Sequence, residues 1–347
     1  MSIYKKSQLA FLSIIYFFGT CCGKELDFEE QCQDFVIETR QLIIPNYPEA
    51  FNPSIVAMDE GYLMCFRFRD KLTKRADKIG LIRLDKNFRL CSAPQELKLK
   101  FEHASNAWAQ DPRLIEINEE LYIVFSTLGE LKDPLIRRVC IAKIQKNESE
   151  YFITNPQTIL YFEGENPKRH EKNWSPFVYQ NEMYLIYSIL PHRIFRLSHL
   201  ENTCDTLATS EGSILWNWGE LRGGTTALLD GEEYLTIFHS CKALSSKHSL
   251  GAVRDHYFMG AYTFAKEPPF EITRISPEPI VGKNFYHGKL HNTWKPLHVV
   301  FPAGCIIDKN HVWISYGRQD HEIWIAKLDK KKLIDSLTPV QTIRAAM

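Results

Sequence analysis

Apolar and polar residues alternate along this chain with a period close to two, in paired runs joined by acidic or amide-rich turns. That period is typical of a β-strand with one buried face, and two such runs around a tight turn predict a β-hairpin. In each pair an aromatic residue lies near the start of the second run. The pattern occurs five times, as NPSIVAMDEGYLMCFRF from Asn52, DPRLIEINEELYIVFST from Asp111, SPFVYQNEMYLIYSI from Ser175, GTTALLDGEEYLTIFHS from Gly224 and PAGCIIDKNHVWISYGR from Pro302.

The five hairpins begin about 50 to 80 residues apart, which leaves room for two more strands in each unit. Further strands are predicted around Ile82, Cys140 and Ala261, and the segment from Glu322 is predicted to complete the last unit. Only short helices are expected, such as one near Lys331. The repetition predicts an all-β fold, a five-bladed β-propeller; a two-sheet sandwich is the alternative.

The start of the chain differs from the rest. Two lysines precede an apolar stretch that is short for a bilayer span, and small residues follow. We expect residues 1–23 to be a signal peptide or a retained N-terminal anchor, the only expected contact with a membrane. Residues 24–347 are expected to form one propeller domain of an exported protein. The seven cysteines that follow are scattered singly, which favours small core residues over a metal site.

Charge narrows the range of partners. Lysine plus arginine and aspartate plus glutamate each number 42, so no basic surface for nucleic acid is indicated. Hydrophobic residues at 44% are sufficient for a substantial core. The sequence contains no P-loop, dinucleotide fingerprint, zinc-protease motif or nucleophile-elbow serine. Its histidines share no ligand spacing, so neither a metal nor another cofactor is expected. The oligomeric state stays open.

Repetition also predicts where a site lies. Corresponding positions of similar blades surround one axis, so residues at the entry of each first strand and at the end of each second strand are expected to converge. Together these positions predict a ring of polar side chains. The candidates for sugar or phosphate binding are Asn52, Arg67, Arg69, Arg113, Lys172, Asn173, His192, Arg193, Arg222, Thr225, His239 and Asp320.

Asp111 is the candidate catalytic residue, because a carboxyl group at the axis beside Arg113 could donate or accept a proton. The competing interpretation is that an aspartate before proline only begins a turn. Arg67 and Arg69 are two residues apart and share one strand face, which is either part of the site or a solvated edge.

The succession QDPRL, EKNWSPF, RGGTTALL, VVFPAGCII and SYGRQD resembles glycoside hydrolase family 130, the β-mannoside phosphorylases and their relatives, from about Asn52 to Leu328. The resemblance implies a five-bladed propeller that cleaves β-mannosides with inversion. It also implies that Asp111 donates the proton, in phosphorylases through a sugar hydroxyl, while Arg113, Lys172, Asn173, His192 and Asp320 hold sugar or phosphate. The resemblance implies the same binding role less strongly for Arg67, Arg69 and His239.

The chain departs from the phosphorylase pattern at Gln110, where those enzymes usually have an acidic residue, and at RGGTTA. The expected function is therefore cleavage of a β-mannosidic bond in an oligosaccharide or glycan, by phosphorolysis with inorganic phosphate as co-substrate or by hydrolysis. The alternatives are a β-mannosyltransferase that uses a nucleotide-sugar donor and a propeller that binds glycans without catalysis.

Overall fold

The computed structural model describes residues 25–69, 77–98, 108–128, 136–148, 150–166, 168–291, 293 and 295–342. The predicted signal peptide or anchor over residues 1–23 lies outside them. Within the described ranges, none of the helices has the length and apolar character needed to cross a membrane.

Five antiparallel sheets confirm the predicted five-bladed propeller, and each hairpin of the repeat forms the two inner strands of one blade. Four-stranded blades I to III follow one another along the chain. Blade I contains β2 (Phe51–Met58), β3 (Gly61–Arg69), β4 (Asp77–Leu84) and β5 (Gln95–Glu96); blade II contains β6 (Trp108–Ile117), β7 (Glu120–Leu128), β8 (Arg137–Lys146) and β9 (Tyr151–Thr158); blade III contains β10 (Ser175–Tyr179), β11 (Glu182–Ser188), β12 (His192–Leu197) and β13 (Cys204–Ser210).

The last two blades include strands from the two ends of the described chain. Blade IV contains β15 (Leu228–Asp230), β16 (Glu233–Leu244), β17 (Arg254–Ala265), β18 (Ile272–Ile275) and β22 (Thr338–Pro339); blade V contains β19 (Val300–Ile307), β20 (His311–Arg318), β21 (Glu322–Asp329) and β1 (Val36–Leu42); a separate pair joins β14 (Gly212–Ser213) to β23 (Gln341–Thr342). The predicted short helix is α1 (Lys330–Ser336), and the Asp329 carboxylate accepts a hydrogen bond from Lys332 N at its start.

Apolar clusters between neighbouring blades hold the ring together. In β3, Leu63 and Cys65 pack against blade II, whereas Met64 and Phe66 face blade V. This separation follows from the alternation of side chains along a strand. Blades II and III, III and IV, and IV and V are joined by three further clusters of the same kind. Both faces of each blade are therefore buried, as radial packing requires.

The outer edge of blade V differs from the prediction that the segment from Glu322 completes the last blade. The segment from Glu322 forms β21, which is the third strand of that blade and not its last. The outermost strand is β1, which pairs antiparallel with β21 from Val36 opposite Leu328 to Leu42 opposite Ile323. The beginning and the end of the propeller thus share one sheet.

Four of the seven described cysteines agree with the predicted core role, whereas Cys32 and Cys91 are exposed and Cys241 is partly buried. Cys65, Cys140, Cys204 and Cys305 are buried, and no disulfide forms among the seven cysteines of the described ranges. The four buried cysteines pack as small apolar side chains in the blades.

Candidate functional site

Irregular backbone aims three side chains at the propeller axis. Asn52, Asp111 and Asn173 lie at or just before the inner strands of blades I to III, all with positive φ, at 47°, 53° and 64°. Asparagine and aspartate tolerate this left-handed conformation better than other residues that carry a Cβ atom. The strand register shifts where Pro53 and Pro112 follow the first two of them, because proline has no N–H for the ladder. Such bulges redirect side chains.

These bulges border a cavity of about 300 Å³ at the axis, here called the axial pocket. It receives side chains from all five blades and from the loop before β19. Its lining is Asn52, Arg67, Arg69, Gln110, Asp111, Arg137, Lys172, Asn173, Arg222, His239, Asp255, Tyr257, Lys295, Leu297, Val299, Phe301 and Asp320.

The Asp111 carboxylate is held by two blade I side chains. Asn52 Nδ2 donates to Asp111 Oδ1 at 2.8 Å, and Arg67 NH1 donates to the same oxygen at 2.9 Å. The other arm of Arg67, NH2, donates to Asp77 Oδ2 at 2.8 Å. Burial alone would raise the pKa of Asp111, but Arg67 and the Asn52 hydrogen bond outweigh it and lower that pKa to about 2. The carboxylate is thus ionised at neutral pH in the free site.

Arg113 supports Asp111 from the backbone side. Its NH1 donates to Asp111 O at 2.9 Å and its Nε donates to Gly224 O at 2.5 Å. Its side chain is buried and does not line the axial pocket. Burial lowers the pKa of Arg113 to about 10. The structure therefore gives Arg113 a contact with the bulge that carries Asp111, instead of the predicted place in the ligand cavity.

Gln110 connects two charged groups that the candidate set omitted. Its Nε2 donates to the Asp77 carboxylate, and its Oε1 accepts from Arg137 Nε at 2.8 Å. An amide can donate and accept at once, which an ionised carboxylate cannot. Gln110 thereby orients Arg137 at the wall of the pocket.

Lys172 is the most accessible cation of the pocket. It lies on the loop before β10, and its side chain is exposed. Its ammonium group makes no hydrogen bond or ion pair with a described residue, whereas Arg222 pairs with Glu220 at 2.7 Å. Desolvation by the concave surroundings lowers the pKa of Lys172, and Asp111 partly offsets this. The ammonium is therefore available to an incoming anion.

Asp320 supplies a second carboxyl group to the same pocket. It follows β20 in the left-handed conformation, with φ 49°, and its side chain is half-buried. Burial raises the pKa of Asp320; Arg67 opposes this and the negative charge of Asp111 reinforces it. Asp111 and Asp320 thus have pKa values displaced in opposite directions, a pattern typical of paired acid and base groups.

His239 faces the pocket from blade IV as a neutral ring. Its Nδ1 lies 2.8 Å from Gly223 O, and because a carbonyl only accepts, Nδ1 carries the proton. Burial and the nearby Arg113 and Arg222 lower the pKa of His239 to about 3. Its Nε2 is consequently an acceptor.

His192 and Thr225, two further predicted residues, do not line the axial pocket. His192 is in the apolar cluster between blades III and IV, where Nδ1 donates to Phe270 O at 2.7 Å and burial lowers its pKa to about 4. Thr225 is fully buried and hydrogen-bonds to Thr236 at 3.2 Å. The placement of both residues in the pocket was wrong. His192 at the start of β12 has its ring among buried aromatic side chains, and Thr225, before β15, is held inside blade IV by Thr236 and Ile237 N.

Arg193 lines a second cavity, here called the side cleft, of about 900 Å³. This cleft lies between blades III and IV and shares Lys172, Asn173 and Arg222 with the axial pocket. Its wall includes the aromatic side chains of Trp174, Tyr187 and Trp216, together with the polar residues Arg169, His170, Glu171, Arg193 and Glu220. Two cavities therefore meet at one set of polar residues.

The axial pocket also contains residues that sequence reasoning missed. Arg137 begins β8, and Asp255 and Tyr257 lie near the start of β17. The third strand of each blade begins beside the end of the second strand. The argument that placed Arg67 and His239 near the axis therefore applies to the first residues of third strands as well. No periodic signal marks Lys295, which lies on the loop before β19.

The pocket has an excess of positive charge. Six cationic side chains line it, against three carboxylates. The cationic residues are Arg67, Arg69, Arg137, Lys172, Arg222 and Lys295, and the carboxylates are Asp111, Asp255 and Asp320. Asp77 and Glu220 lie outside this lining but pair with Arg67 and Arg222, so the net positive charge is smaller than the count. Lys172 lacks such a partner among the described residues and is the cation best placed to attract an anion.

Comparison with protein families gives one match that spans nearly the whole described chain. The model of glycoside hydrolase family 130, described as beta-1,4-mannooligosaccharide phosphorylase, matches residues 27–338. Comparison with curated proteins gives no match.

Solved structures share the fold at low identity. A beta-1,2-mannobiose phosphorylase from Listeria innocua is 14% identical, with a TM-score of 0.57 over 88% of this chain and 95% of that one. A mannose phosphorylase from Leishmania mexicana, in complex with a phosphate ion, is 11% identical, with a TM-score of 0.58 over 92% and 95%. A GDP-Man-dependent mannosyltransferase from the same organism is 11% identical, with a TM-score of 0.58 over 90% and 96%.

The Arg67 network gives a prediction for stability and its pH dependence. Replacing Arg67 with Met leaves two buried carboxylates without their counter-charge, so we expect the free energy of unfolding at pH 7 to fall by about 3–5 kcal/mol. In the parent, the depressed pKa of Asp111 contributes stability above about pH 4 that is lost as the pH falls towards 2. The deficit of the variant should therefore narrow below about pH 4, as the carboxylates become protonated.

Urea unfolding at pH 7 and at about pH 2.5 measures this difference. Arg196→Met is the control, because Arg196 forms only an exposed pair with Asp205 at 3.8 Å and should change stability by less than about 0.5 kcal/mol. An equal deficit for Arg67→Met at both pH values would contradict the assigned pairing.

Proposed function

Because the chain belongs to glycoside hydrolase family 130, we propose that it cleaves β-mannosidic bonds of oligosaccharides by phosphorolysis in the axial pocket, with inversion at the anomeric carbon. The observation that carries this proposal is the position of Asp111 beside an accessible Lys172, in a pocket with an excess of cationic groups. Hydrolysis requires no anion, whereas inorganic phosphate requires cationic hydrogen-bond donors.

In the proposed reaction, phosphate lies against Lys172 and the neighbouring arginines. One phosphate oxygen attacks the anomeric carbon and forms a new C–O bond as the glycosidic C–O bond breaks on the opposite face. The departing sugar oxygen takes a proton from Asp111, directly or through a sugar hydroxyl. The products are mannose 1-phosphate and a glycan shorter by one unit. Fixed cations offset the phosphate charge throughout this displacement.

The low pKa of Asp111 gives phosphate a second role. A carboxyl group with a pKa of about 2 is ionised in the free pocket and has no proton to donate. A bound anion offsets the field of Arg67 and Lys172, which raises the pKa of Asp111 towards the range of a general acid. Hydrogen phosphate also supplies the proton that Asp111 passes to the leaving oxygen, so the proton count balances.

The side cleft suits the rest of the substrate. It shares Lys172, Asn173 and Arg222 with the axial pocket, and the partly exposed aromatic side chains of Tyr187 and Trp216 line it together with polar residues. Sugars present apolar faces between hydroxyl groups and bind to surfaces of this kind. We place the mannosyl unit that is cleaved in the axial pocket and the remaining units in the side cleft.

Hydrolysis is the second candidate, and Asp320 is the observation that favours it. An inverting hydrolase needs a second carboxylate to activate water. Asp320 lines the same pocket, and its raised pKa makes it a stronger base than Asp111. Mannosyl transfer from a nucleotide-sugar is a third possibility, since a mannosyltransferase shares the fold.

Product analysis distinguishes these reactions. The purified chain is incubated with β-1,2- and β-1,4-linked mannooligosaccharides, with and without inorganic phosphate. We expect mannose 1-phosphate to form only when phosphate is present. Free mannose at equal rates in both conditions would establish hydrolysis instead. A third incubation contains GDP-mannose with the same oligosaccharides, and glycan elongation there without turnover in the first two would establish transfer.

Replacing Asp111 with Asn tests the proton donor. We expect kcat to fall by about 10²–10⁴-fold, because the amide donates no proton of suitable acidity. The melting temperature should fall only modestly, because the ion pair between Arg67 and Asp111 is lost while Arg67 keeps its pair with Asp77. A mannoside whose leaving group needs no protonation, such as a dinitrophenol, should recover much of the loss.

Two further variants complete this test. Asp205→Asn, in an exposed pair on blade III, should keep full activity. Asp320→Asn should impair sugar binding or water activation without recovery by the activated leaving group. If that recovery follows Asp320→Asn and not Asp111→Asn, the roles of the two carboxyl groups are exchanged.

Replacing Lys172 with Ala tests the phosphate contact. Loss of one charge-assisted hydrogen bond should raise KM for phosphate about tenfold or more, with a smaller change in KM for the mannoside. Lys168→Ala is the matched control, because Lys168 is exposed on the same loop and does not line the axial pocket. Initial rates over a grid of both substrates give the two constants. Equal increases in both would argue against a phosphate-specific role.

A further inference from the structure

A cluster of ligand-type side chains lies outside the axial pocket and the side cleft. Asp27 precedes the 3-10 helix Phe28–Gln31, His248 belongs to the 3-10 helix Lys247–Ser249, and His287 lies on the loop before β19. One carboxylate oxygen and one imidazole nitrogen from each histidine lie within 4.8 Å of one another. Three distant segments therefore bring metal-binding atoms to one point.

The separations are those of a small coordination sphere. Asp27 Oδ1 lies 3.2 Å from His248 Nε2, and Asp27 Oδ2 lies 3.7 Å from His287 Nε2. Bond lengths of about 2.0–2.1 Å around a tetrahedral zinc ion put neighbouring ligand atoms about 3.4 Å apart. Each histidine is close to a different oxygen of Asp27, and with one ligand atom per residue all three atoms lie within 4.8 Å, so small side-chain rotations bring them to this separation.

Hydrogen bonds to His287 fix which nitrogen is free to bind. Its Nδ1 lies 3.1 Å from Glu29 Oε2 and donates to that carboxylate. Glu29 is itself held by the backbone N–H groups of Asn284 at 2.9 Å, Tyr286 at 2.6 Å and His287 at 2.7 Å. A carboxylate behind the far nitrogen is typical of metal-bound histidine, because it sets the tautomer and strengthens the ligand. The Nε2 lone pair of His287 is thereby directed to the side of Asp27.

His248 also presents an unprotonated nitrogen. Phe28 N donates to His248 Nε2 at 3.1 Å, so this nitrogen is an acceptor and has no proton of its own. The nearby Asp27 Oδ1 is an acceptor as well. Two unprotonated imidazole nitrogens, of which that of His248 accepts from Phe28 N, thus lie close to a carboxylate. Lys247 Nζ, 3.5 Å from Asp27 Oδ2, only partly offsets the charge of that carboxylate. A divalent cation bound by all three groups would remove the repulsion between these acceptors. The hydrogen bond from Phe28 N to His248 Nε2 would then break, because that nitrogen would bind the cation.

We propose that Asp27, His248 and His287 bind one zinc ion that fastens the N-terminal segment to blade IV and to the loop before β19. Two imidazoles and one carboxylate suit zinc better than magnesium or calcium, which prefer oxygen ligands. The His287 side chain is 52% exposed, which leaves room for water as the fourth ligand. Arg318 NH1 donates to His287 O at 2.5 Å, so the fastened loop also contacts the turn that carries Asp320.

Zinc titration of the chelator-treated chain against a competing dye tests this proposal at neutral pH. We expect one equivalent to bind with a Kd below about 1 µM, and the melting temperature to rise with zinc but not with magnesium. Cobalt in place of zinc should give the visible absorption of a tetrahedral site. Failure to bind zinc at micromolar concentrations would overturn the proposal.

Variants locate the ion. His287→Ala should abolish stoichiometric binding, whereas His199→Ala, which removes an exposed histidine on blade III, should leave it unchanged. Glu29→Gln should weaken binding about 10–100-fold through the position of His287. Unchanged stoichiometry in His287→Ala would place the ion elsewhere and contradict the assignment. Because these measurements use no sugar substrate, their outcome is independent of the proposed reaction.

Discussion

Burial of both faces of every blade is the constraint on which the rest of this structure depends. A sheet that packs on one side only can have a polar outer face, but here each inner strand lies between two neighbours. Leu63 and Met64 show the consequence, because adjacent residues of one strand belong to different inter-blade clusters. The five clusters close a ring, and the narrow end of each blade must then meet the other four at the axis. Polar side chains placed there are close together by construction.

Because charged side chains converge at the axis, they lose contact with water, and ion pairs and hydrogen bonds between them offset this loss. Arg67 contacts Asp77 with one arm and Asp111 with the other, and Gln110 connects Asp77 to Arg137. Charges withdrawn from water are tolerated when they are paired and hydrogen-bonded. Lys172 differs from this network because its ammonium remains accessible. The same arrangement keeps Asp111 ionised in the free pocket, which connects the stability of the pocket to its proposed chemistry.

The sequence predicted the blades well, because each hairpin is encoded locally by alternation and by turn residues. Nine of the predicted site residues line the axial pocket, since the entries and exits of central strands converge in any closed ring. His192 and Thr225 were misplaced because a position in the repeat does not state which way a side chain points. Arg193 lines the side cleft instead of the axial pocket, and Arg113 contacts the backbone carbonyl of Asp111.

Some features required contacts between distant segments, which no local pattern reveals. The pairing of β1 with β21 and the meeting of Asp27, His248 and His287 each join parts of the chain that are far apart in sequence. Gln110 appeared in the sequence only as a departure from a family pattern. The structure gives it a partner on each side and so a physical reason for an amide.

The composite sheet of blade V also determines the order in which the molecule can be assembled. Strand β1 is the first strand of the described residues, yet its partner β21 follows blades I to III and four of the five strands of blade IV. During synthesis the edge of β1 must therefore wait unpaired until nearly all of the chain has emerged, and blade V cannot be completed earlier. Contacts between such distant residues slow folding and leave strand edges open to wrong partners. For this propeller, joining its two ends is a late event, and the first strand is the part most in need of protection until then.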